Sequence, residues 1–259
     1  MGPTVAEIRA RLQRADEAEF EVLERSLIAD TRKGVRAALE TARHRLAAAA
    51  AEEARLQGMY EYQKELAPGV VAVGLDEVGR GPLAGPLAVG AVVLPDEPRI
   101  AGLNDSKQVK PADRERIAEE IKQRALAWAV CYIEPADIDA HGMTASLTSA
   151  FKQALQRVEA AGVEVGAVLL DGNPLHMDER EINVVKGDGK CASIAAASIV
   201  AKVERDALMC RYAEQYPEYG FEACKGYASP AHIEAIKRYG LCPIHRVSFC
   251  HAFVQESLF

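Results

Sequence analysis

Acidic side chains close three apolar stretches of this sequence, and their grouping is the first indication of chemistry. Asp76 and Glu77 end the run VVAVGLDE, Asp171 lies in LLDGN, and Asp188 lies in VVKGD. Strand ends gather at one edge of an open α/β sheet, so these carboxylates would meet there. Two such charges at about 4 Å repel by about 4 kcal/mol at an effective dielectric constant near 20. Divalent cations with oxygen ligands offset this repulsion, and Mg²⁺ or Mn²⁺ is the usual choice beside phosphate.

Each of these acids also has a simpler interpretation. Asp171 before a Gly-Asn pair is about as typical of a turn as of a metal ligand. Asp206 and Glu204 fall in a helical stretch, where salt bridges or solvent are the ordinary partners, although Asp206 remains an alternative fourth ligand. Because neighbouring residues of a regular strand point to opposite faces, Asp76 and Glu77 can share a site only if the strand ends or bulges there.

The elements that must position these acids begin at residue 70, where short β-rich runs alternate with helical patterns. Such alternation predicts a layered α/β domain. The short glycine-rich connection between the first two strands favours antiparallel neighbours. We predict strands over 70–76, 87–94, 126–134, 165–171 and 181–188, and helices over 112–125, 144–162 and 193–216.

Residues 4–65 have helical periodicity, and a break at Asp30-Thr31 and Gly34 predicts two or three helices. The Pro68-Gly69 pair closes this segment, so we place a domain boundary between residues 68 and 69. Basic residues cluster within it. They form either a solvated helix face or a surface that contacts nucleic-acid phosphates: Arg32, Lys33, Arg36, Arg43 and Arg45.

Composition describes an ordinary globular protein of 259 residues, with 49% hydrophobic and 27% charged side chains. No apolar run approaches the roughly 20 residues of a membrane span, and the start MGPTVAEIRARLQ lacks a signal-peptide core, so we expect a cytoplasmic protein. The net charge of −7 argues only weakly against nucleic acid, because acids that bind cations need not repel phosphate. The six cysteines include no C-x-x-C pair, so we interpret them as reduced and mostly buried.

Six ordered motifs resemble those of prokaryotic ribonuclease HII over about residues 70–250. Gly79-Arg80-Gly81 favours this family over the sister enzyme ribonuclease HIII, which usually carries Gly-Lys-Gly. The extension before residue 69 is similar to those of some Gram-positive ribonucleases HII, with much less specific motifs. The six motifs are GLDEVGRGPLAGP, LNDSK (103–107), LLDGN (169–173), VVKGDGK (184–190), SIAAASIVAKVERD (193–206) and KGY (225–227).

The resemblance implies a ribonuclease H-like fold, a mixed five-stranded sheet flanked by helices. An all-α extension (1–68), a candidate hybrid-binding segment, would precede a catalytic domain (69–259) with a C-terminal helical region. It implies two-metal endonucleolytic cleavage of RNA paired with DNA. It also implies cleavage on the 5′ side of ribonucleotides embedded in duplex DNA, leaving 5′-phosphate and 3′-hydroxyl ends, as in ribonucleotide excision repair.

The same resemblance assigns roles to particular residues. The catalytic, metal-binding acids would be Asp76, Glu77, Asp171 and Asp188, with two Mg²⁺ or Mn²⁺ ions as cofactors. Gly79, Arg80 and Gly81 would lie at the RNA–DNA junction, with Tyr227 beside them. The family often has Gly-Thr where this chain has Ala228-Ser229, and serine can replace the threonine hydroxyl. Further candidate phosphate contacts are Lys107, Lys186, Ser193 and Lys225.

The residue types suit this task. An enzyme directed to RNA must sense the 2′-hydroxyl, which both donates and accepts hydrogen bonds. Backbone groups can meet it where glycine lets the main chain approach closely, as Gly79 and Gly81 would. Arg80 would neutralise phosphate with its forked donors. Histidine is not needed as a nucleophile, so we expect His232, His245 and His251 to be structural or surface residues.

Two alternatives remain open from the residues. A ribonuclease H-like nuclease acting on DNA, such as a resolvase or transposase core, could use the same carboxylates but would leave the glycine loop without a purpose. A non-catalytic hybrid-binding module should lack some of the acids, and none is missing. The substrates we expect are RNA/DNA hybrid and ribonucleotide-containing duplex DNA. We expect no membrane contact, no obligate protein partner and a monomer.

Overall fold

A computed structural model describes residues 2–254, and the described residues form two compact units, 2–57 and 58–254. The first unit contains helices α1 (Val5–Arg14) and α2 (Glu17–Leu27) and most of α3 (Lys33–Leu66). Three helices therefore fold from the region where periodicity predicted two or three. The units divide inside α3, so the domain boundary after residue 68 stays a prediction.

The basic side chains of the first unit are largely engaged within it. Arg32 pairs with Asp30 at 2.6 Å, and Arg43 pairs with Glu24 and Glu40. Arg45 donates to the carbonyl of Ala15 at the end of α1. These contacts suit the interpretation of this surface as a solvated helix face, while phosphate contact stays a prediction.

The second unit is built on a mixed five-stranded sheet of order β3-β2-β1-β4-β5. The first three strands pair antiparallel, whereas β1 pairs with β4, and β4 with β5, in parallel. This is the sheet that the resemblance predicts. The strands are β1 (Ala72–Val78), β2 (Leu87–Val93), β3 (Ala127–Ile133), β4 (Ala167–Asp171) and β5 (Glu181–Val184).

Helices cover both faces of the sheet. On one face Val73 and Leu75 of β1 join the buried cluster of α6 (Met143–Ala160). On the other, Ala72 packs with Ile194 of α7 (Ala192–Gln215). The backbones of β1 and α7 approach so closely that a Cβ on Gly74 would lie 2.1 Å from the carbonyl carbon of Ser193. The central strand is thus enclosed by α6 and α7, and only its ends are open.

The remaining helices surround this core. Helix α4 (Pro111–Arg124) was predicted, whereas α5 (Pro135–His141) was not, because a seven-residue helix that begins with proline gives too short a periodic pattern. A C-terminal region packs around Tyr219, Phe221 and Ile236. Residues 255–259 of the predicted C-terminal region lie outside the described part of the chain. That region contains α8 (Phe221–Cys224), α9 (Pro230–Tyr239) and α10 (Val247–Cys250).

Two expectations from composition can be compared with these coordinates. All six cysteines are free, but only Cys131, Cys191 and Cys250 are fully buried. Between residues 2 and 254, no helix combines the length and the apolar character that a membrane crossing requires.

Candidate active site

Asp76 and Glu77 lie next to each other near the end of β1, paired with Gly90 and Val89 of β2. The strand stays regular through both residues, so no bulge turns them to one face. Asp76 continues the face of β1 that packs against α7, and Glu77 continues the face toward α6. Because β1 ends at Val78, one residue later, both carboxylates still reach the opening beyond the strand.

A cleft of about 320 Å³ opens at this point. Asp76 is only 5% exposed at its base, while Tyr227 is 44% exposed at its rim. A smaller cavity of about 220 Å³ adjoins it, since Glu77 and Arg80 line both spaces, and Asp171 lines the smaller one. The cleft is lined by Asp76, Glu77, Val78, Gly79, Arg80, Gly81, Ser106, Lys107, Ser198, Lys202 and Tyr227.

The other two acids come from the neighbouring strands of the sheet. Asp171 is the last residue of β4, and its Oδ1 accepts a hydrogen bond from the Gly187 N–H at 2.6 Å. That bond joins the end of β4 to the 3₁₀ turn Gly187–Gly189, which carries Asp188. Asp188 therefore lies in a turn after β5 rather than at the strand end that the sequence predicted. Its carboxylate lies 3.5 Å from the Lys107 ammonium.

The four carboxylates act electrostatically on one another. Burial raises the pKa of Asp76 well above its usual value, and the charges of Glu77, Asp171 and Asp188 raise it further. The pKa of Glu77 is also raised, first by burial and then by Asp171, although Arg80 opposes the shift. Burial and the charge of Asp171 raise the pKa of Asp188. All four acids thus belong to one electrostatic group in which negative charge is in excess.

Lys107 is the cation nearest to this group. Its pKa is raised because attraction to Asp105, Asp188 and Asp76 outweighs the effect of burial. Arg80 lies 3.8 Å from Glu77, but its side chain is mostly exposed. Two partly exposed cations do not match four clustered carboxylates, and burial of unmatched charge is costly.

The donor set fits divalent metal ions. It offers hard, anionic oxygens on three elements, and the buried Asp76 carboxyl is destabilised by neighbours that a cation would offset. Over residues 2–254, no three His, Cys, Asp or Glu side chains already stand as a closed ligand group. The fit is therefore one of donor chemistry and of location, at the ends of β1 and β4 and in the turn after β5.

The loop between β1 and β2 runs beside the acids and is held from behind by the C-terminal region. Gly79 has φ of +89°, and a Cβ there would lie 2.2 Å from Nε of Arg205. Leu83 donates its N–H to the carbonyl of Gly226 at 2.9 Å, and Gly85 donates to Ile244 at 2.8 Å. Glycine is thus required at position 79 by both backbone conformation and packing.

Tyr227 is positioned by a pair of buried histidines. The Cys242 N–H donates to Nδ1 of His245 at 2.9 Å, so the proton of that ring is on Nε2. Nε2 of His245 lies 3.1 Å from Nε2 of His232, whose Nδ1 lies 2.8 Å from the Tyr227 carbonyl. A consistent direction of donation therefore runs from Cys242 to Tyr227 when both rings are neutral. These histidines are structural, as the sequence predicted.

This histidine pair predicts loss of stability in acid. Burial and the neighbouring His232 lower the pKa of His245 to about 4, against about 6.5 in an unfolded chain. Between these values the unfolded state binds more protons, so the free energy of unfolding falls as pH decreases, by up to about 1.4 kcal/mol per pH unit. Below pH 4 this contribution levels off. Urea unfolding at pH 7 and pH 5 measures the loss, which His245→Gln should reduce and the exposed His251→Gln should not. Equal losses in wild type and His245→Gln would contradict this assignment.

The weaker sequence candidates are not all brought to the cleft. Ser193 is fully buried, with its N–H bound to Gln63 at 2.8 Å, so burial keeps it from the surface that a phosphate could reach. Lys186 is exposed next to the turn that carries Asp188, and it does not line the cleft. The Lys225 ammonium turns away to the Glu222 carbonyl at 2.7 Å. Asp206, the alternative ligand, pairs with Lys202 at 2.8 Å.

Three polar residues that line the cleft were missed from the sequence: Ser106, Ser198 and Lys202. Ser106 and Ser198 are buried at its base and share a hydrogen bond of 2.9 Å. Lys202 lies one turn further along α7. All three lie within the motifs quoted above, but their loop or helix context in the sequence did not indicate that they face the cleft.

The mixed five-stranded sheet flanked by helices places the protein in the ribonuclease H-like class, and carboxylates at the strand ends are the residue type that nucleases of this class use. The family model described as ribonuclease HII matches residues 73–252, and the model for the ribonuclease HII N-terminal domain matches residues 4–67. The chain is 40% identical over 251 residues to ribonuclease HII of Listeria monocytogenes serotype 4b (strain F2365), covering 96% of this chain and 95% of the relative. The chain belongs to the ribonuclease HII family. It is a hydrolase, an endonuclease of the ribonuclease H type acting on RNA/DNA hybrids.

Solved structures agree with this assignment. The PCNA:RNase HII complex from Archaeoglobus fulgidus contains a chain that is 28% identical and superposes with a TM-score of 0.60, covering 69% of this chain and 94% of that one. A second neighbour is Bst-RNase HIII in complex with Mn²⁺, 25% identical with a TM-score of 0.56, covering 65% of this chain and 61% of that one.

Proposed function

We propose that this protein cleaves the RNA strand of RNA/DNA hybrids and also cuts on the 5′ side of a ribonucleotide embedded in duplex DNA, at the RNA–DNA junction. The products carry 5′-phosphate and 3′-hydroxyl ends. The observation that carries the proposal is the shared cleft, in which Asp76 and Glu77 lie directly beside the Gly79–Gly81 loop. Acids alone would serve any metal nuclease, whereas a close main-chain loop beside them suits recognition of a ribose.

Asp76, Glu77, Asp171 and Asp188 would hold two divalent ions, Mg²⁺ or Mn²⁺. When bound, such a pair makes a water nucleophilic and stabilises the leaving oxygen of a phosphodiester. The support is the mutual effect of these carboxylates on their pKa values and the hard oxygen chemistry of the set. Lys107, 3.5 Å from Asp188, would move from the acids to a substrate phosphate once cations replace it.

The side chains around the acids would bind and orient the nucleic acid. Arg80 is 64% exposed and free to turn from Glu77 to a phosphate, where its forked donors fit. Tyr227 presents its ring at the rim of the cleft, with its carbonyl fixed by His232, and would pack against the sugar. Lys186 and Lys225 stay predicted phosphate contacts that would have to reorient.

The test compares three duplexes: an RNA/DNA hybrid, a DNA duplex with one ribonucleotide, and the same duplex without it. We expect cleavage of the first two in Mg²⁺ or Mn²⁺, a single cut 5′ to the embedded ribonucleotide, and loss of both activities in chelator. The all-DNA duplex serves as the matched control. Cleavage of that duplex at a similar rate would instead favour a nuclease acting on DNA, and cleavage that persists in chelator would contradict the metal assignment.

A further inference from the structure

Two arginines lie fully buried behind the cleft, Arg205 on α7 and Arg246 just before α10. Within residues 2–254 neither is paired with a carboxylate, and their guanidinium groups donate to backbone carbonyls instead. Burial lowers the pKa of Arg246 to about 10, and the charge of Arg205 contributes to this shift. Burying a cation without an anionic partner costs free energy. The hydrogen bonds to these carbonyls are therefore what the two guanidinium groups have in place of a carboxylate, and they hold the carbonyls in a fixed geometry.

Arg246 binds three carbonyls of the loop between β1 and β2. Its Nη2 donates to Gly79 at 2.6 Å and to Gly85 at 2.8 Å, and its Nη1 donates to Arg80 at 3.0 Å. Two consecutive peptide groups, Gly79–Arg80 and Arg80–Gly81, therefore turn their oxygens inward to one guanidinium. The planar fork of arginine can satisfy several acceptors at once in a fixed arrangement.

The orientation of these oxygens determines that of the neighbouring N–H groups. Both peptides are trans, and a trans peptide directs its N–H opposite to its C=O. The N–H groups of Arg80 and Gly81 consequently point away from Arg246, on a loop that lines the cleft beside Asp76 and Glu77. In the described part of the chain neither N–H has an acceptor. Two adjacent, unused donors are thus held in place next to the acids.

We propose that Arg246 is a positioning residue that turns the backbone N–H groups of Arg80 and Gly81 toward the cleft, where they bind an acceptor oxygen of the nucleic acid. The oxygen belongs to the ribose hydroxyl or to an adjoining phosphate, since both accept from N–H groups. Successive backbone donors of this kind form a concave site for such oxygens. The inference rests on the proposed function, because it concerns how the same cleft recognises its substrate.

Arg246→Lys tests the role of the guanidinium while keeping a positive charge. A lysine ammonium lacks the planar fork, so the two peptides should no longer be held in one orientation. Ile236→Val is the matched control. Ile236 is buried in the C-terminal cluster, and its apolar side chain cannot hydrogen-bond to the loop carbonyls. Thermal unfolding of both variants gives their stability independently of binding.

Binding is measured by fluorescence anisotropy in chelator, so that neither cleavage nor metal contributes. The probes are a DNA duplex with one ribonucleotide and the same duplex without it. Loss of one or two hydrogen bonds should weaken binding of the ribonucleotide duplex by Arg246→Lys about tenfold. If the donors serve the hydroxyl, the all-DNA duplex is unaffected; if they serve phosphate, both duplexes lose equally. Ile236→Val should bind both probes as the wild type does.

A measurement on the wild type keeps the proposal testable if Arg246→Lys does not fold. Amide resonances of Arg80 and Gly81, followed by nuclear magnetic resonance in chelator, should shift downfield when the ribonucleotide duplex is added. Unshifted amides, or an Arg246→Lys variant with wild-type affinity for both probes, would overturn this role for Arg246. A wild type that cleaves neither hybrid nor embedded ribonucleotide would instead refute the proposed function.

Discussion

Asp76→Asn is expected to abolish cleavage while leaving the protein at least as stable as the wild type. Asparagine keeps the shape of the side chain but removes one of the four negative charges that would bind the metal ions. Changes to groups that merely support a metal ligand cost about 10–100-fold, so loss of a direct ligand should cost at least about 100-fold in rate. Steady-state cleavage of the ribonucleotide-containing duplex in Mg²⁺ and in Mn²⁺ measures this effect.

The stability of Asp76→Asn is as informative as its activity. Because burial and three neighbouring acids raise the pKa of Asp76, its ionised form destabilises the folded state at neutral pH. Removing the charge should leave the free energy of unfolding unchanged or increase it.

Asp178→Asn provides the opposite control. Hydrogen bonding from Arg180 lowers the pKa of Asp178 to about 2, so its charge stabilises the fold. This variant should lose about 1–2 kcal/mol of stability while keeping its activity. Full activity of Asp76→Asn in either metal would remove Asp76 from the proposed metal site.

The elements of this fold were largely predictable, because their patterns are long and regular. The valine-rich run before Asp76 and the small-residue run after Ser193 are strong signals for a buried strand and a buried helix. Helix α5 was missed because seven residues cannot establish a period. The position of Asp188 was misjudged for a related reason, since β5 stops at Val184 and a left-handed Lys186 begins a separate turn.

The acids of the candidate site were predicted from the motifs, but the residues that support them were not. Ser198 looked like one more small residue in a helix packed on the sheet, and only the three-dimensional arrangement brings it beside Ser106. Arg205 and Arg246 escaped notice because arginine is rarely buried without a carboxylate. Their carbonyl partners are distant in sequence and carry no side-chain signature, so no local pattern could reveal them.

Gly79 and Gly81 are both predicted to contact substrate, yet their replacement by alanine should have different consequences. At Gly79 the new Cβ would lie 2.2 Å from Nε and 2.8 Å from Cδ of Arg205, which the Pro86 and Lys225 carbonyls hold in place. The backbone also has φ of +89°, which a non-glycine residue adopts at a cost of about 1–3 kcal/mol. Gly79→Ala should therefore lose at least this much stability, and the displaced loop should lower cleavage by about 100-fold.

Gly81→Ala separates packing within the protein from contact with the substrate. A Cβ on Gly81 meets no atom within 4 Å, so its stability should stay within about 0.5 kcal/mol of the wild type. The added methyl group would nevertheless project from the loop that lines the cleft, where the sugar-phosphate chain would have to approach. Gly81→Ala should thus bind the ribonucleotide duplex more weakly and raise KM while unfolding as the wild type does. Urea unfolding and cleavage kinetics on both variants distinguish these effects. A Gly79→Ala variant as stable as the wild type would show that the Arg205 side chain can move aside for the new Cβ. Wild-type kinetics for Gly81→Ala would place the substrate away from this loop.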